Sequence, residues 1–157
     1  MMIFVTIGTQ EPFDRLIEAM DLIALEMKEI EFVAQTFQGS YRPKYMKAIE
    51  FLAPADFEGY FRKADLVVSH AGMGTIITAL VNQKPLVVMP RQLQLKEHRS
   101  DHQLATAKMF EQSKGLVVAY DAADLKNKVQ LLINNPAPVE KIGKYANQEL
   151  LIDLKNF

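Results

Sequence analysis

Polar residues at positions 91–103 combine cations, carboxylates and an amide directly after an apolar run, and from 97 to 103 they read Glu-His-Arg-Ser-Asp-His-Gln. Arginine and histidine bind phosphate through charge-assisted hydrogen bonds, while carboxylates and amides take sugar hydroxyls. The pattern favours a site for a phosphorylated sugar or nucleotide. The alternative is a solvated loop in which Ser100 or Asp101 caps a helix. The candidate ligand-binding residues of this stretch are Arg91, Glu97, His98, Asp101, His102 and Gln103.

A glycine turn separates a second apolar run, which ends at His70, from a helical pattern. Glycine lets the backbone turn sharply and approach a ligand, and the amides at a helix N-terminus attract anions. The turn therefore predicts a phosphate or diphosphate site, with an ordinary tight turn as the alternative. The turn is not a dinucleotide-binding fingerprint, because Ile77 stands where the third glycine would be. It is not a P-loop either, because no lysine followed by serine or threonine comes after the glycines. The candidate residues are His70, Gly72, Met73, Gly74 and Thr75.

Other chemistries find little support in the sequence. His98 and His102 are four positions apart and would share a helical face, but no third metal ligand is evident, so no metal site or metal cofactor is expected. The chain has no cysteine, which excludes thiol catalysis and disulfides. No Gly-x-Ser-x-Gly elbow is present, so nucleophilic serine catalysis is not predicted.

Alternating apolar runs and helical patterns predict the elements that position these residues. The predicted strands cover 2–7, 31–36, 48–52, 66–69, 86–89 and 116–119, and the predicted helices cover 13–27, 55–64, 75–82, 100–112 and 121–134. Such alternation indicates an α/β, Rossmann-like doubly wound parallel sheet. Ligands bind beyond the carboxyl ends of strands in this fold, so the loops at Gly8-Thr9, 70–75 and 90–103 should line one crevice.

The acidic residues of the first helix are predicted to face solvent: Asp14, Glu18, Asp21, Glu26 and Glu29. Residues 1–134 are predicted to form one domain, which a linker connects to a helical appendage at 138–157. Apolar residues at helical spacing would pack this appendage on its own core or on a partner.

Charge and hydropathy narrow the possible partners and location. The net charge is -1, so no basic field favours nucleic acid. Neither a signal peptide nor a membrane span is evident, which predicts a cytoplasmic chain.

Five segments together resemble the C-terminal, donor-binding domain of family 28 glycosyltransferases. They read VTIGTQ, FDRLI, HAGMGT, KPLVVMPR and EHRSDHQ. The resemblance covers roughly residues 2–134. It is strongest to the small soluble subunit of two-chain GT-B enzymes, which act in lipid-linked oligosaccharide or bacterial exopolysaccharide synthesis.

The resemblance implies a donor-binding subunit that transfers a sugar from a UDP-sugar to a lipid-linked acceptor without a metal cofactor. It places Gly8 and Thr9 at the interdomain cleft, the turn at 72–75 on the diphosphate, and residues 97–103 near ribose, phosphate or sugar. The sequence departs from the family at Thr78, where longer members often carry a ribose-binding glutamate. A second departure is Ala105 or Thr106, where a carboxylate or amide is common.

A membrane-anchored partner subunit would supply the acceptor-binding half and the catalytic base, and would recruit the chain to the cytoplasmic face of a membrane. In isolation the chain can instead form a homo-oligomer. The alternative function is a non-catalytic enhancer or scaffold subunit that activates such a partner. A free-standing sugar-nucleotide epimerase or phosphatase is a weaker alternative, since such an enzyme should show its own acid and base.

Overall fold

The computed structural model describes residues 1–111 and 115–136. In this part of the chain, six parallel strands form one sheet in the order β3-β2-β1-β4-β5-β6. The strands are β1 (Met2–Thr6), β2 (Glu31–Gln35), β3 (Lys47–Ile49), β4 (Leu66–His70), β5 (Leu86–Met89) and β6 (Leu116–Val118). This order reverses between β1 and β4, which confirms the predicted Rossmann-like, doubly wound sheet.

Five α-helices accompany the sheet within the described residues. They are α1 (Asp14–Glu26), α2 (Pro54–Lys63), α3 (Met73–Val81), α4 (His102–Phe110) and α5 (Ala122–Asn134), and a 3-10 helix covers Leu93–Leu95. The predicted strand 48–52 is observed at Lys47–Ile49. The last backbone bonds between the two segments run from the Thr36 and Phe37 N–H groups to the carbonyls of Ile49 and Glu50, and Phe37 has a left-handed φ of 49°. The predicted appendage at 138–157 lies outside the described residues.

Helices cover both faces of the sheet, and this explains the uninterrupted apolar runs of its strands. In β1, Ile3 and Val5 belong to the core under α1 and α5, whereas Phe4 belongs to the core under α2, α3 and α4. All three side chains are completely buried. Within the described part of the chain, no helix is both long and apolar enough to cross a membrane.

Asp21 of α1 does not face solvent as predicted, and Asp14 does so only in part. Asp21 is fully buried and accepts hydrogen bonds from the Tyr41 hydroxyl at 2.8 Å and from the backbone N–H groups of Lys44 and Tyr45 at 2.9 and 2.8 Å. Asp14 accepts two more from backbone N–H groups of the same loop, each at 3.2 Å. The loop folds back over α1 and its amides need acceptors, which these carboxylates provide.

Candidate functional site

A cleft of about 350 Å³ opens at the carboxyl edge of the sheet, where the strand order reverses between β1 and β4. Loops that follow β1, β4 and β5 form its walls. Its lining consists of Ile7, Gly8, Thr9, Gln10, Glu11, His70, Gly72, Met73, Gly74, Thr75, Arg91, His98 and Gln103. The three loops predicted to line one crevice therefore do so, and the cleft occupies the position at which doubly wound folds bind ligands.

The N-terminus of α3 forms one wall of the cleft. The helix begins at Met73, directly after Gly72, and no described side chain caps it. Its first helical backbone bond runs from the Ile76 N–H to the Gly72 carbonyl at 3.1 Å. The amides of residues 73–75 therefore have no partner within the helix, and the helix dipole adds positive partial charge there. This wall favours an anion.

The His70 ring packs between two glycines at the base of the cleft. A Cβ atom on Gly72 would lie 2.2 Å from the ring's Cε1 atom, and one on Gly8 would lie 3.0 Å from Nε2. Gly8 also has a φ of 76°, which side chains rarely tolerate. Glycine is therefore required at position 72 by the histidine, and at position 8 by both the backbone and the histidine.

Arg91 joins the three loops from beneath. Its side chain is buried and its guanidinium lies 4.9 Å from the centre of the Phe13 ring. One terminal nitrogen lies 3.1 Å from His70 Nδ1, and the other donates to the backbone carbonyls of Ile7 and Glu11 at 2.8 and 2.6 Å. The Gln103 side chain accepts from the Arg91 backbone N–H at 3.0 Å. The Arg91 guanidinium thus bonds mainly to protein atoms.

His70 is neutral, and its ring proton has a defined position. Burial, followed by the positive charges of Arg91 and His98, lowers the pKa of His70 to about 3. A guanidinium can only donate, so Nδ1 of His70 accepts and the ring proton is assigned to Nε2. Nε2 is the ring nitrogen nearest Gly8. The site therefore presents a neutral N–H donor between Gly8 and Gly72, the residue that precedes α3.

The cleft brings together all the predicted site residues except Glu97, Asp101 and His102. Glu97 forms two 2.9 Å hydrogen bonds with Arg15, which also donates to the carbonyls of Pro90 and Tyr120. Glu97 thus connects the loop after β5 to Arg15 of α1, and it lines a neighbouring open depression.

The other two residues lie at the start of α4. Asp101 accepts from the Leu93 N–H at 3.0 Å. His102 is exposed and lies with Asp101 in a shallow depression beside the helix. Both side chains are therefore near the cleft without lining it.

Sequence reasoning missed an apolar pocket of about 400 Å³ that adjoins the cleft and shares Gly8, Thr9 and Thr75 with it. Phe51 lines this pocket and is 66% exposed. The signal in the sequence that could have indicated this pocket is Phe51, an aromatic residue between the edge strand β3 and Pro54, where α2 begins. Among the described residues, no group of three histidine or carboxylate side chains lies close enough to hold a metal ion.

The low pKa of His70 should make stability depend on pH. The unfolded chain binds a proton below pH 6.5 and the folded chain only near pH 3, so the free energy of unfolding falls as pH drops through this window. When the pH is lowered from about 7 to about 4.5, we expect this residue to reduce the free energy of unfolding by about 2 kcal/mol. Urea unfolding at both pH values should show His70→Asn losing less stability than wild type, by about that amount. Equal losses would contradict the assignment.

Comparisons with known proteins find a curated relative, solved structures of the same fold and a matching family model. Over 77 residues, 48% of this chain, the sequence is 40% identical to UDP-N-acetylglucosamine transferase subunit ALG13 of Cryptococcus neoformans var. neoformans serotype D. The match covers 36% of that protein, so the chain spans about a third of the length of this curated relative.

Solved structures share the fold at low sequence identity. The NMR solution structure of ALG13 superposes with a TM-score of 0.66 at 18% identity, over 95% of this chain and 93% of that chain. The glycosyltransferase of kitacinnamycin superposes with a TM-score of 0.64 at 18% identity, over 86% of this chain and 35% of that chain. Residues 2–151 match the family model of the glycosyltransferase family 28 C-terminal domain, and the chain belongs to this family.

Proposed function

We propose that this chain is the donor-binding subunit of a bipartite glycosyltransferase that transfers a sugar from a UDP-sugar to a lipid-linked acceptor. The observation that carries the proposal is the cleft between β1 and β4, which is lined by the uncapped N-terminus of α3 and by His70. Family membership and the name of the curated relative, a UDP-N-acetylglucosamine transferase subunit, give further support.

The diphosphate of the donor would lie against the N-terminus of α3. Backbone amides and a neutral histidine donate hydrogen bonds there, and His98 lies at the cleft as the candidate for a further phosphate contact. These donors are fixed by the fold and would stabilise the negative charge that develops on the leaving diphosphate. Because protein donors meet the phosphates, we expect donor binding that needs no metal ion.

The uracil base would occupy the apolar pocket beside the cleft. This pocket shares Thr75 with the anion wall and presents the exposed Phe51 ring, on which a base can stack. A nucleotide could therefore place its phosphates at α3 and its base against Phe51.

Phe51→Ala tests the position of the base. Since stacking of a base on an aromatic ring contributes about 1–3 kcal/mol, we expect UDP to bind roughly tenfold more weakly. Pyrophosphate, which has no base, should bind as it does to wild type. Leu131→Ala removes a similarly exposed apolar side chain from α5 and serves as the control for surface truncation. Equal weakening of UDP and pyrophosphate binding would place the base elsewhere.

The acceptor-binding half would come from a membrane-associated partner subunit. The name of the curated relative, a transferase subunit, supports such a division. The catalytic base that deprotonates the acceptor hydroxyl belongs to the partner in this proposal. Closure of the two halves would bring the acceptor to the sugar bound at the cleft.

Calorimetric titration of the purified chain tests the proposal directly. UDP, UDP-N-acetylglucosamine, UDP-glucose and UDP-galactose are titrated with and without EDTA. We expect binding in the micromolar to millimolar range that EDTA does not change, and the relative affinities identify the donor sugar. Absence of binding to the isolated chain and to its complex with the partner would refute the donor-binding role and favour a scaffold subunit.

A further inference from the structure

Arg91 is the basic residue most deeply placed in the cleft, and its position argues against direct ligand contact. The residue is only 3% exposed. Its terminal nitrogens bond to His70, Ile7 and Glu11, and its Nε atom is buried without a partner among the described residues. The sequence predicted a phosphate-binding cation here, whereas the geometry shows a guanidinium that bonds to the protein.

We propose that Arg91 is a positioning residue that joins the loops after β1, β4 and β5 and holds His70 as a fixed N–H donor to the ligand. The inference rests on the proposed function for the identity of that ligand, an anionic nucleotide. In this arrangement Arg91 contacts neither phosphate nor sugar. It acts through His70, whose Nδ1 it occupies, and through the carbonyls of Ile7 and Glu11, which fix the glycine-containing loop.

Arginine has the shape that this role requires. Its planar guanidinium carries donors in fixed directions, so one side chain can bond to a ring nitrogen and two carbonyls at once. The Phe13 ring lies under the guanidinium at 4.9 Å and stabilises the cation in a buried position. Lysine has a single flexible nitrogen and cannot hold the same three acceptors in this geometry.

The surroundings of His70 explain why it stays a donor across a wide pH range. Arg91 and His98 are the cationic groups that act on it, and the Gln103 amide nitrogen lies 3.4 Å from Nδ1. Burial lowers the pKa of Arg91, while the carboxylates of Glu11 and Glu97 oppose this and favour its charged form. Protonating His70 would place a second positive charge beside Arg91 and break the bond at Nδ1. Phosphate binding through Nε2 should therefore persist at pH values where an ordinary histidine is already charged.

NMR spectroscopy of the full wild-type chain tests the geometry without any ligand. We expect a scalar coupling across the N–H···N hydrogen bond between Arg91 and His70 Nδ1. Nitrogen shifts should show the ring protonated on Nε2 and still neutral at about pH 5, where an ordinary histidine is charged. Protonation of Nδ1 at neutral pH, or titration of His70 near pH 6.5, would overturn the inference. This measurement does not depend on whether a variant folds.

Arg91→Lys tests the consequence for the ligand. Without the guanidinium, we expect a smaller fraction of His70 to be in the Nε2–H tautomer and UDP to bind about tenfold more weakly. Arg42→Lys makes the same exchange at an exposed site and should bind UDP like wild type.

The outcomes separate the two proposals. Unchanged UDP affinity and ring state in Arg91→Lys would overturn the positioning role. Loss of the wild-type Arg91–His70 coupling on UDP addition would do so as well, because Arg91 would then contact the ligand. If UDP bound neither chain, the proposed function would fail and the ligand-presenting role with it, although the coupling would still report the bond between Arg91 and His70.

Discussion

Gly74→Asp should abolish UDP binding and leave the fold intact. A Cβ atom at this position has no neighbour within 4 Å, so the substitution meets no steric obstacle. Asp in the first turn of α3 interacts favourably with the helix dipole, and we expect an unchanged or slightly higher Tm. The same carboxylate would face the phosphates of the donor, and like charges in close contact cost several kcal/mol, which corresponds to about a hundredfold loss of affinity or more.

Gly74→Asn is the matched control, because it has nearly the same shape without the charge. We expect it to retain most of the affinity for UDP. Calorimetry measures both variants, and thermal unfolding followed by circular dichroism checks the fold. Wild-type affinity in Gly74→Asp would remove the N-terminus of α3 from the phosphate site.

Gly72→Ala should damage both stability and binding, although it adds a single methyl group. The φ of Gly72 is -80°, which alanine adopts readily, so backbone strain is not the cause. The new Cβ would lie 2.2 Å from Cε1 of His70, and the ring must move out of its place between the two glycines. Overpacking of this kind costs about 1–3 kcal/mol. Displacement of the Nε2–H donor should weaken UDP binding at least about tenfold.

A double-mutant cycle isolates the contact. In a His70→Ala background, Gly72→Ala should cost little stability, because the ring that it would strike is gone. Gly59→Ala, at an unobstructed position of α2, is the control for a glycine substitution and should not destabilise the chain. If Gly72→Ala cost the same with and without His70, the close packing of ring and glycine would not be the cause.

The fold could be predicted from the sequence because its strands are buried on both faces. Residues 66–68 and 86–89 are apolar throughout, and aspartate or proline precedes them. Such runs specify parallel strands covered by helices, and the alternation then specifies the doubly wound order. The loops of the cleft followed from the same reasoning, since the carboxyl ends of parallel strands meet at one edge.

The partners of individual charges could not be predicted in the same way. Glu97 has the right chemistry for a sugar hydroxyl, but the fold places Arg15, which is 82 positions away, against it. Asp21 occupies a polar position of a helix, but the loop after β2 closes over it. Periodicity describes which face of an element is apolar. It carries no information on which distant loop covers a polar side chain.

The neighbouring position of β1 and β4 has a consequence for folding kinetics. Asp65, next to β4, bonds to the Met2 N–H at 2.8 Å, across 63 positions of sequence. Closing so large a loop is slow relative to local steps and costs chain entropy before the sheet contacts compensate for it. Residues of the cleft come from both sides of this closure. A folding intermediate that contains only β1–β3 or only β4–β6 would lack the cleft. The rate at which UDP binding recovers during refolding should therefore equal the rate at which the two halves of the sheet dock.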